Sequence, residues 1–160
     1  MRRTFADELL KHAKKDKDII LITFDLGYKM WDEFRDTFPN QFYNLGTSEF
    51  AGVGVAVGMA LENKKVFVYS ITTFLLYRPY EMIRNYISHE KIPVRLVAGG
   101  RDFDYHIDGW SHHSLEAKQV LNTLPNIIQY WPETKEEIPL LVEKMVKSNL
   151  PQFISLKRQL

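Results

Sequence analysis

Six short apolar runs, "DIILITF", "FYNL", "KVFVYSI", "VRLVAGG", "IIQYW" and "QFISLK", recur along the chain, and helix-period segments separate most of them. Continuous β-branched runs bracketed by amphipathic segments are the pattern of parallel strands buried on both faces, joined by crossover helices. The expected fold is therefore α/β: a three-layer α/β/α arrangement around an open, mostly parallel sheet. Thr4 with Asp7 is read as the cap of a first helix. A second helix over "MWDEFRDTF" stops at Pro39, a third spans Ser48 to Leu61 and ends near Asn63, and an aromatic helix is bounded by Pro79 and Pro93. Leu115 to Leu121 is expected to be helical, as is Thr134 to Lys147 behind its threonine. In such a sheet ligands gather beyond the carboxyl ends of the strands. That rule singles out four strand exits: Asp25 to Gly27, Thr47 to Glu49, Thr72 to Tyr80, and Gly99 to His113.

The bulk numbers narrow the function classes. A chain of 160 residues, 45% hydrophobic and 26% charged, is expected to form a single domain, residues 1–160, around one core. Its 21 lysines and arginines face 20 acidic residues, so no net field recruits nucleic acid or an acidic membrane surface. The absence of cysteine excludes disulfides and thiolate metal sites and suits a reducing cytoplasm. No window approaches the roughly 18 apolar residues of a membrane span.

Within "NLGTSEFAGVGVAVGMAL", Glu49 opens a run of small apolar residues. Acidic residues favour the first turn of a helix because they meet unpaired N–H groups there. This helix, however, is apolar enough to be buried from its start, and a buried carboxylate needs a partner or a raised pKa. Gly52, Gly54 and Gly58 have GxGxxxG spacing inside the helix rather than in the turn before it, which points to close packing instead of a dinucleotide fingerprint. Phe74, Tyr77 and Tyr80 fall three apart and can share one side of a turn-and-helix segment, either as core or as an aromatic wall. Arg84 and Glu81 read as a helix pair. In "DYHIDGWSHHSLE", Asp104, His106, Asp108, His112 and His113 crowd one loop, but their spacing matches no standard metal template. Polar contacts to a hydroxylated substrate, acid–base work or a solvated loop are the remaining readings.

Together and in this order the segments resemble the pyrimidine-binding domain of transketolase-type thiamine diphosphate enzymes. The resemblance runs from "RRTFADELL" to "PQFISLKR" and is carried by "DLG" at Asp25 to Gly27, "GTSE" at Gly46 to Glu49, "FLLYRPYEMIRN" at Phe74 to Asn85, and "DGWSHH" at Asp108 to His113. It implies the thiamine diphosphate-binding fold. It also implies that Glu49 hydrogen-bonds the cofactor's aminopyrimidine and favours the imino tautomer that activates the thiazolium. Desolvation raises a carboxylate's pKa in such a pocket. By the same resemblance Phe74, Tyr77 and Tyr80 enclose the aminopyrimidine, Asp25 joins the cofactor site, His112 faces the substrate as a catalytic group, and Asp108 reads a sugar hydroxyl. Transfer of a two-carbon ketol unit through an enamine is the implied reaction.

Family features missing from the sequence are equally informative. No Gly-Asp-Gly segment that would hold the cofactor diphosphate through Mg²⁺ is present, and neither is a third, carboxy-terminal domain. The resemblance thus implies a split enzyme: a separate diphosphate-binding subunit holds Mg²⁺, and the two form a hetero-oligomer, in all a heterotetramer. Gly100 stands where many transketolases have a substrate histidine, Trp110 where a proline is usual, and Trp131 where a sugar-phosphate arginine is expected. Either Arg101 or Arg95 takes over phosphate binding, or the sugar or keto substrate carries no phosphate there. A split 2-oxo acid decarboxylase or acyl-transferring enzyme, and a non-catalytic partner subunit, are the alternatives.

Overall fold

The computed structural model describes residues 1–158. β1 (Ile19–Thr23), β2 (Phe42–Asn44), β3 (Lys65–Ile71), β4 (Arg95–Gly99), β5 (Ile128–Tyr130) and β6 (Gln152–Leu156) form one sheet in the order β2-β1-β3-β4-β6-β5. Every adjacent pair is parallel, with Leu21 against Phe42 and Phe67, Val68 against Leu96, and Leu96 against Phe153.

Alternation along the strands builds the three layers. Side chains two residues apart share a face, so Ile20 and Ile22 of β1, with Val66 and Val68 of β3, enter one apolar cluster. Ile19, Leu21, Phe67 and Tyr69 enter another on the opposite face. The first cluster is covered by α3 (Glu49–Leu61), α4 (Thr72–Tyr77) and α6 (Ala117–Asn122). The second is covered by α1 (Arg2–Ala13), α2 (Asp32–Thr37) and α7 (Ile138–Lys147). The expected α/β/α sandwich is therefore observed, with a wholly parallel sheet.

Local departures have local causes. α1 starts at Arg2, a turn earlier than the Thr4 cap suggested, because Met1 and Phe5 are both buried and Phe5 donates its N–H to Met1 C=O at 2.9 Å. The aromatic segment is not one helix. α4 gives way at Pro79, which has no N–H to donate, to the single turn α5 (Tyr80–Met82), and then to a π-helical stretch, Ile83–His89. Arg84 does not make the expected pair with Glu81; it bonds Asn85 Oδ1 at 2.9 Å instead. α6 begins at Ala117 rather than Leu115. The segment after Thr134 opens with a 3-10 turn, Lys135–Glu137, before α7, and the Glu137 carboxylate accepts the Thr134 N–H at 2.8 Å as half of a capping box.

The glycine pattern of α3 is only partly a packing device. A Cβ on Gly52 would lie 2.1 Å from Phe24 Cε1, whereas one on Gly58 meets nothing within 4 Å. Gly52→Ala is thus expected to lower unfolding free energy by about 1–3 kcal/mol through overpacking. Gly58→Ala is expected to raise it by roughly 0.5–1 kcal/mol through helix propensity. Urea unfolding of the two variants checks both signs.

Candidate functional site

The chain leaves β1 toward β2 on one side and returns to β3 on the other, so the topological switch point lies at the carboxyl ends of β1 and β3. β2 ends at Asn44, whose side-chain Oδ1 accepts the N–H of Asp25 at 2.8 Å and of Gly46 at 3.1 Å. That one amide joins the exits of β1 and β2. Both joined loops turn through left-handed backbone, at Asp25 (φ +52°) and at Gly46 (φ +65°), a region that Asp and Gly tolerate best.

Gly46 turns the chain into α3, and Glu49 is the first helical residue. Its side chain is 1% exposed. The carboxylate accepts hydrogen bonds from Arg78 Nη1, 2.8 Å from each oxygen, and from the Ser70 hydroxyl at 3.4 Å. Burial is thus matched by a partner from the turn after α4, 29 residues away in sequence. The Arg78 guanidinium in turn lies over the Phe74 ring, 3.8 Å from its centroid, a cation–π contact. Phe74 meets the His112 ring edge-on at 4.9 Å, and His112 sits 5.9 Å from the Tyr105 ring with its Nδ1 3.0 Å from Ser111 Oγ. Glu49, Arg78, Phe74 and His112 therefore form one contiguous series across the exits of β2, β3 and β4.

Two threonines hold the loop after β4 in place. Thr72 Oγ1 donates to the carbonyls of Gly99 and Gly100, and Thr73 Oγ1 to that of Ser111 at 2.7 Å. Asp104 accepts the N–H of Arg101 at 2.8 Å and of Arg158 at 2.6 Å, closing the loop against the end of the chain's last strand. Asp108 lies on an exposed turn, His106–Asp108, of the same loop. Below the loop, Tyr69 packs against Trp31 at 5.2 Å, and a Cβ on Gly99 would lie 2.5 Å from its hydroxyl. Burial pushes the Tyr69 phenol up to about 12.

The aromatic trio divides. Phe74 faces Arg78 and His112, while Tyr77 and Tyr80 border a separate hollow of about 400 Å³ with Val120 and Thr123. The Tyr80 hydroxyl pairs with Thr123 Oγ1 at 2.7 Å, and the Tyr77 phenol is raised by burial and then by Glu116. The two arginines considered for phosphate binding are engaged inside the chain. Arg101, 7% exposed, donates to Ser155 Oγ and C=O, Pro132 C=O and the Glu133 carboxylate. Arg95 is the first residue of β4, about 13 Å of strand from its exit, and is consumed by the carbonyls of Pro93, Met145 and Ser148. Both fasten backbone. Among the described residues no cluster of three or more His, Asp or Glu side chains is placed to hold a metal ion, and no helix is long and apolar enough to cross a membrane.

Sequence reasoning missed Arg78, Asn44 and the two threonines. Asn44 beside Gly46 at a strand end is a turn signal that points to a capping role. Arg78 has no such local signal, because its partner is distant in the chain.

The family profile described as transketolase, pyrimidine binding domain matches residues 1–160. The chain is 30% identical over 158 residues to one subunit of the apulose-4-phosphate transketolase of Phocaeicola vulgatus, covering 98% of this chain and 51% of that protein. It is 30% identical over 159 residues to a 1-deoxy-D-xylulose-5-phosphate synthase of Clostridium perfringens, covering 97% of this chain and 25% of that one. A solved split-gene transketolase, an inactive tetramer of its beta chain, superposes with a TM-score of 0.87 at 26% identity over 99% of this chain and 50% of its own. The chain thus spans about half or less of the length of these relatives.

Tyr69 makes the floor of this region sensitive to alkali. Its folded pKa lies above the unfolded value near 10, so the unfolded state loses its proton first and stability falls as pH rises from 10 toward 12. Tyr69→Phe is expected to remove about 2–3 kcal/mol of that alkaline loss, measurable as a flatter dependence of unfolding free energy on pH.

Proposed function

The chain belongs to the transketolase pyrimidine-binding domain family, and we propose that it is the pyrimidine-binding subunit of a split transketolase-like enzyme that transfers a two-carbon ketol unit. The whole-enzyme activity requires a second, diphosphate-binding subunit that holds Mg²⁺, the two assembling as a heterotetramer in the cytoplasm. When bound, thiamine diphosphate supplies the nucleophilic carbon and the electron sink, chemistry that side chains lack.

The residues present suit that cofactor. A carboxylate held under cover accepts N–H donors on both oxygens, and the ring face beside it carries a flat nitrogenous group, here the Arg78 guanidinium. An aminopyrimidine asks for the same two things. Glu49 would accept its ring N–H, Phe74 would stack on it, and Asp25 would border the site from the exit of β1. Tyr77 and Tyr80 border the neighbouring hollow with Val120 and Thr123, so of the three aromatics Phe74 alone lies beside the carboxylate. Glu49 is the base-side group because a carboxylate excluded from water interacts more strongly with a proton on a ring nitrogen than one in bulk solvent. His112, oriented by Ser111, Phe74 and Tyr105, is suited to exchanging a proton with a substrate oxygen. Asp108 offers its carboxylate to a substrate hydroxyl from an exposed turn. Arg101 acts here by shaping the loop.

The observation that carries this reading is the covered Glu49 at the head of α3 beside Phe74. A second reading, a split 2-oxo acid decarboxylase or acyl-transferring enzyme, draws support from the exposed apolar Phe103, Ile107 and Trp110, which flank Asp108 and suit a less hydroxylated substrate. Supplying ketoses and 2-oxo acids separately to the reconstituted enzyme distinguishes the two.

The test is to combine this chain with the candidate partner encoded beside it and titrate thiamine diphosphate with Mg²⁺ into each and into the mixture. Full-affinity binding is expected from the mixture alone, and Glu49→Gln is expected to cut turnover by about 10²–10⁴-fold. An E49Q enzyme as fast as the parent would overturn the assignment.

A further inference from the structure

Arg78 raises a problem that the functional reading leaves unsolved. One nitrogen, Nη1, covers both oxygens of Glu49, and the plane of the same guanidinium covers the Phe74 face. Those are the carboxylate edge and the ring face assigned above to an aminopyrimidine. A guanidinium and an aminopyrimidine are alike in the features that matter: each is flat, carries N–H donors on its edge and stacks on an aromatic ring. One edge and one face cannot serve both ligands at once.

We propose that Arg78 is an internal competitor for this site: in the free chain its guanidinium occupies Glu49 and Phe74, and it must swing outward before an aminopyrimidine can take the same contacts. The inference rests on the reading of Glu49 and Phe74 given above.

Three observations favour a displaceable group over a permanent support. Arg78 is 46% exposed while Glu49 beneath it is 1% exposed, so the arginine covers the carboxylate from the solvent side and leaves without repacking the core. It sits in the turn between α4 and Pro79, outside any helix. Its described hydrogen bonds go to Glu49 alone. The arginines that fasten this fold are built differently: Arg95 and Arg101 are 1% and 7% exposed, and each donates to at least two backbone carbonyls.

A competitor of this kind reduces apparent affinity by the fraction of molecules in which the site is open. It also keeps the carboxylate partnered at every moment, because Arg78 leaves as ligand N–H groups arrive. A buried charge without a partner is the state that costs most.

The probe is thiamine, which carries the aminopyrimidine without the diphosphate, titrated into the full chain and followed by NMR. If Arg78 closes the site in about 90–99% of molecules, Arg78→Met is expected to bind thiamine about 10–100-fold more tightly than the parent. Arg78→Lys keeps the charge without the plane and is expected to tighten binding by less; it carries the test should R78M fail to fold. Millimolar guanidinium chloride is expected to compete with thiamine in R78M. Equal or weaker binding by R78M, or no binding by either protein, overturns the proposal and leaves Arg78 as a support for Glu49. Glu49→Gln in the R78M background, where no guanidinium is left to release, separates the two levels. Weaker thiamine binding by the double variant than by R78M, with no gain in R78M over the parent, removes only the competitor, whereas equal binding by R78M and the double variant removes the reading of Glu49 beneath it.

Discussion

A carboxylate that is 1% exposed costs several kcal/mol unless it is paired and hydrogen-bonded, and the arrangement around Glu49 meets that requirement with few parts. α3 begins at Glu49 and continues in Gly, Ala, Val and Met, residues small enough for Phe24 to approach Gly52 closely. That approach lowers the head of the helix into the first core cluster and takes Glu49 with it. The charge is then answered from a different crossover, by Arg78 and Ser70. Packing puts the group out of water, and pairing makes the burial tolerable.

The same interaction orders its surroundings. Because Arg78 lies over Phe74, and Phe74 against His112, the carboxylate is in physical contact with the loop after β4 through two rings and a guanidinium. That loop is independently fixed to the threonines that open α4 and to the Asp104 junction. A residue at one strand exit is thus registered against a residue at another without a direct bond between them. The wholly parallel sheet makes this possible, since it delivers all of its carboxyl ends to the same edge.

The architecture was legible in the sequence because a buried parallel strand has to be apolar on both faces, a demand met by the runs of β1, β3, β4 and β6, while the edge strands β2 and β5 are shorter and partly exposed. Glu49 was legible for a related reason: a charge at the mouth of an apolar helix has to be explained. The breakdown of the aromatic helix was legible only at Pro79. The π turn beyond it, which carries Ile83 and Ile87 into the core, left no mark in the sequence, since an i,i+4 apolar pair suits an α-helix equally well. Thr4 misled because cap signals compete with burial, and Met1 and Phe5 won. Arg101 and Arg95 looked available for phosphate because a sequence records how many donors an arginine has, but not which carbonyls will consume them. Arg78 was invisible for the converse reason, since its partner lies 29 residues away and only the fold brings them together.

The most direct measurement is the ¹³Cδ resonance of Glu49 in isotopically labelled chain during titration with thiamine, assigned by its loss in E49Q. A saturable shift of the Glu49 signal is expected, while exposed carboxylates such as Glu62 and Glu90 stay in place. A Glu49 signal that does not move when thiamine is saturating would mean that the buried carboxylate serves the fold alone and takes no part in holding an aminopyrimidine.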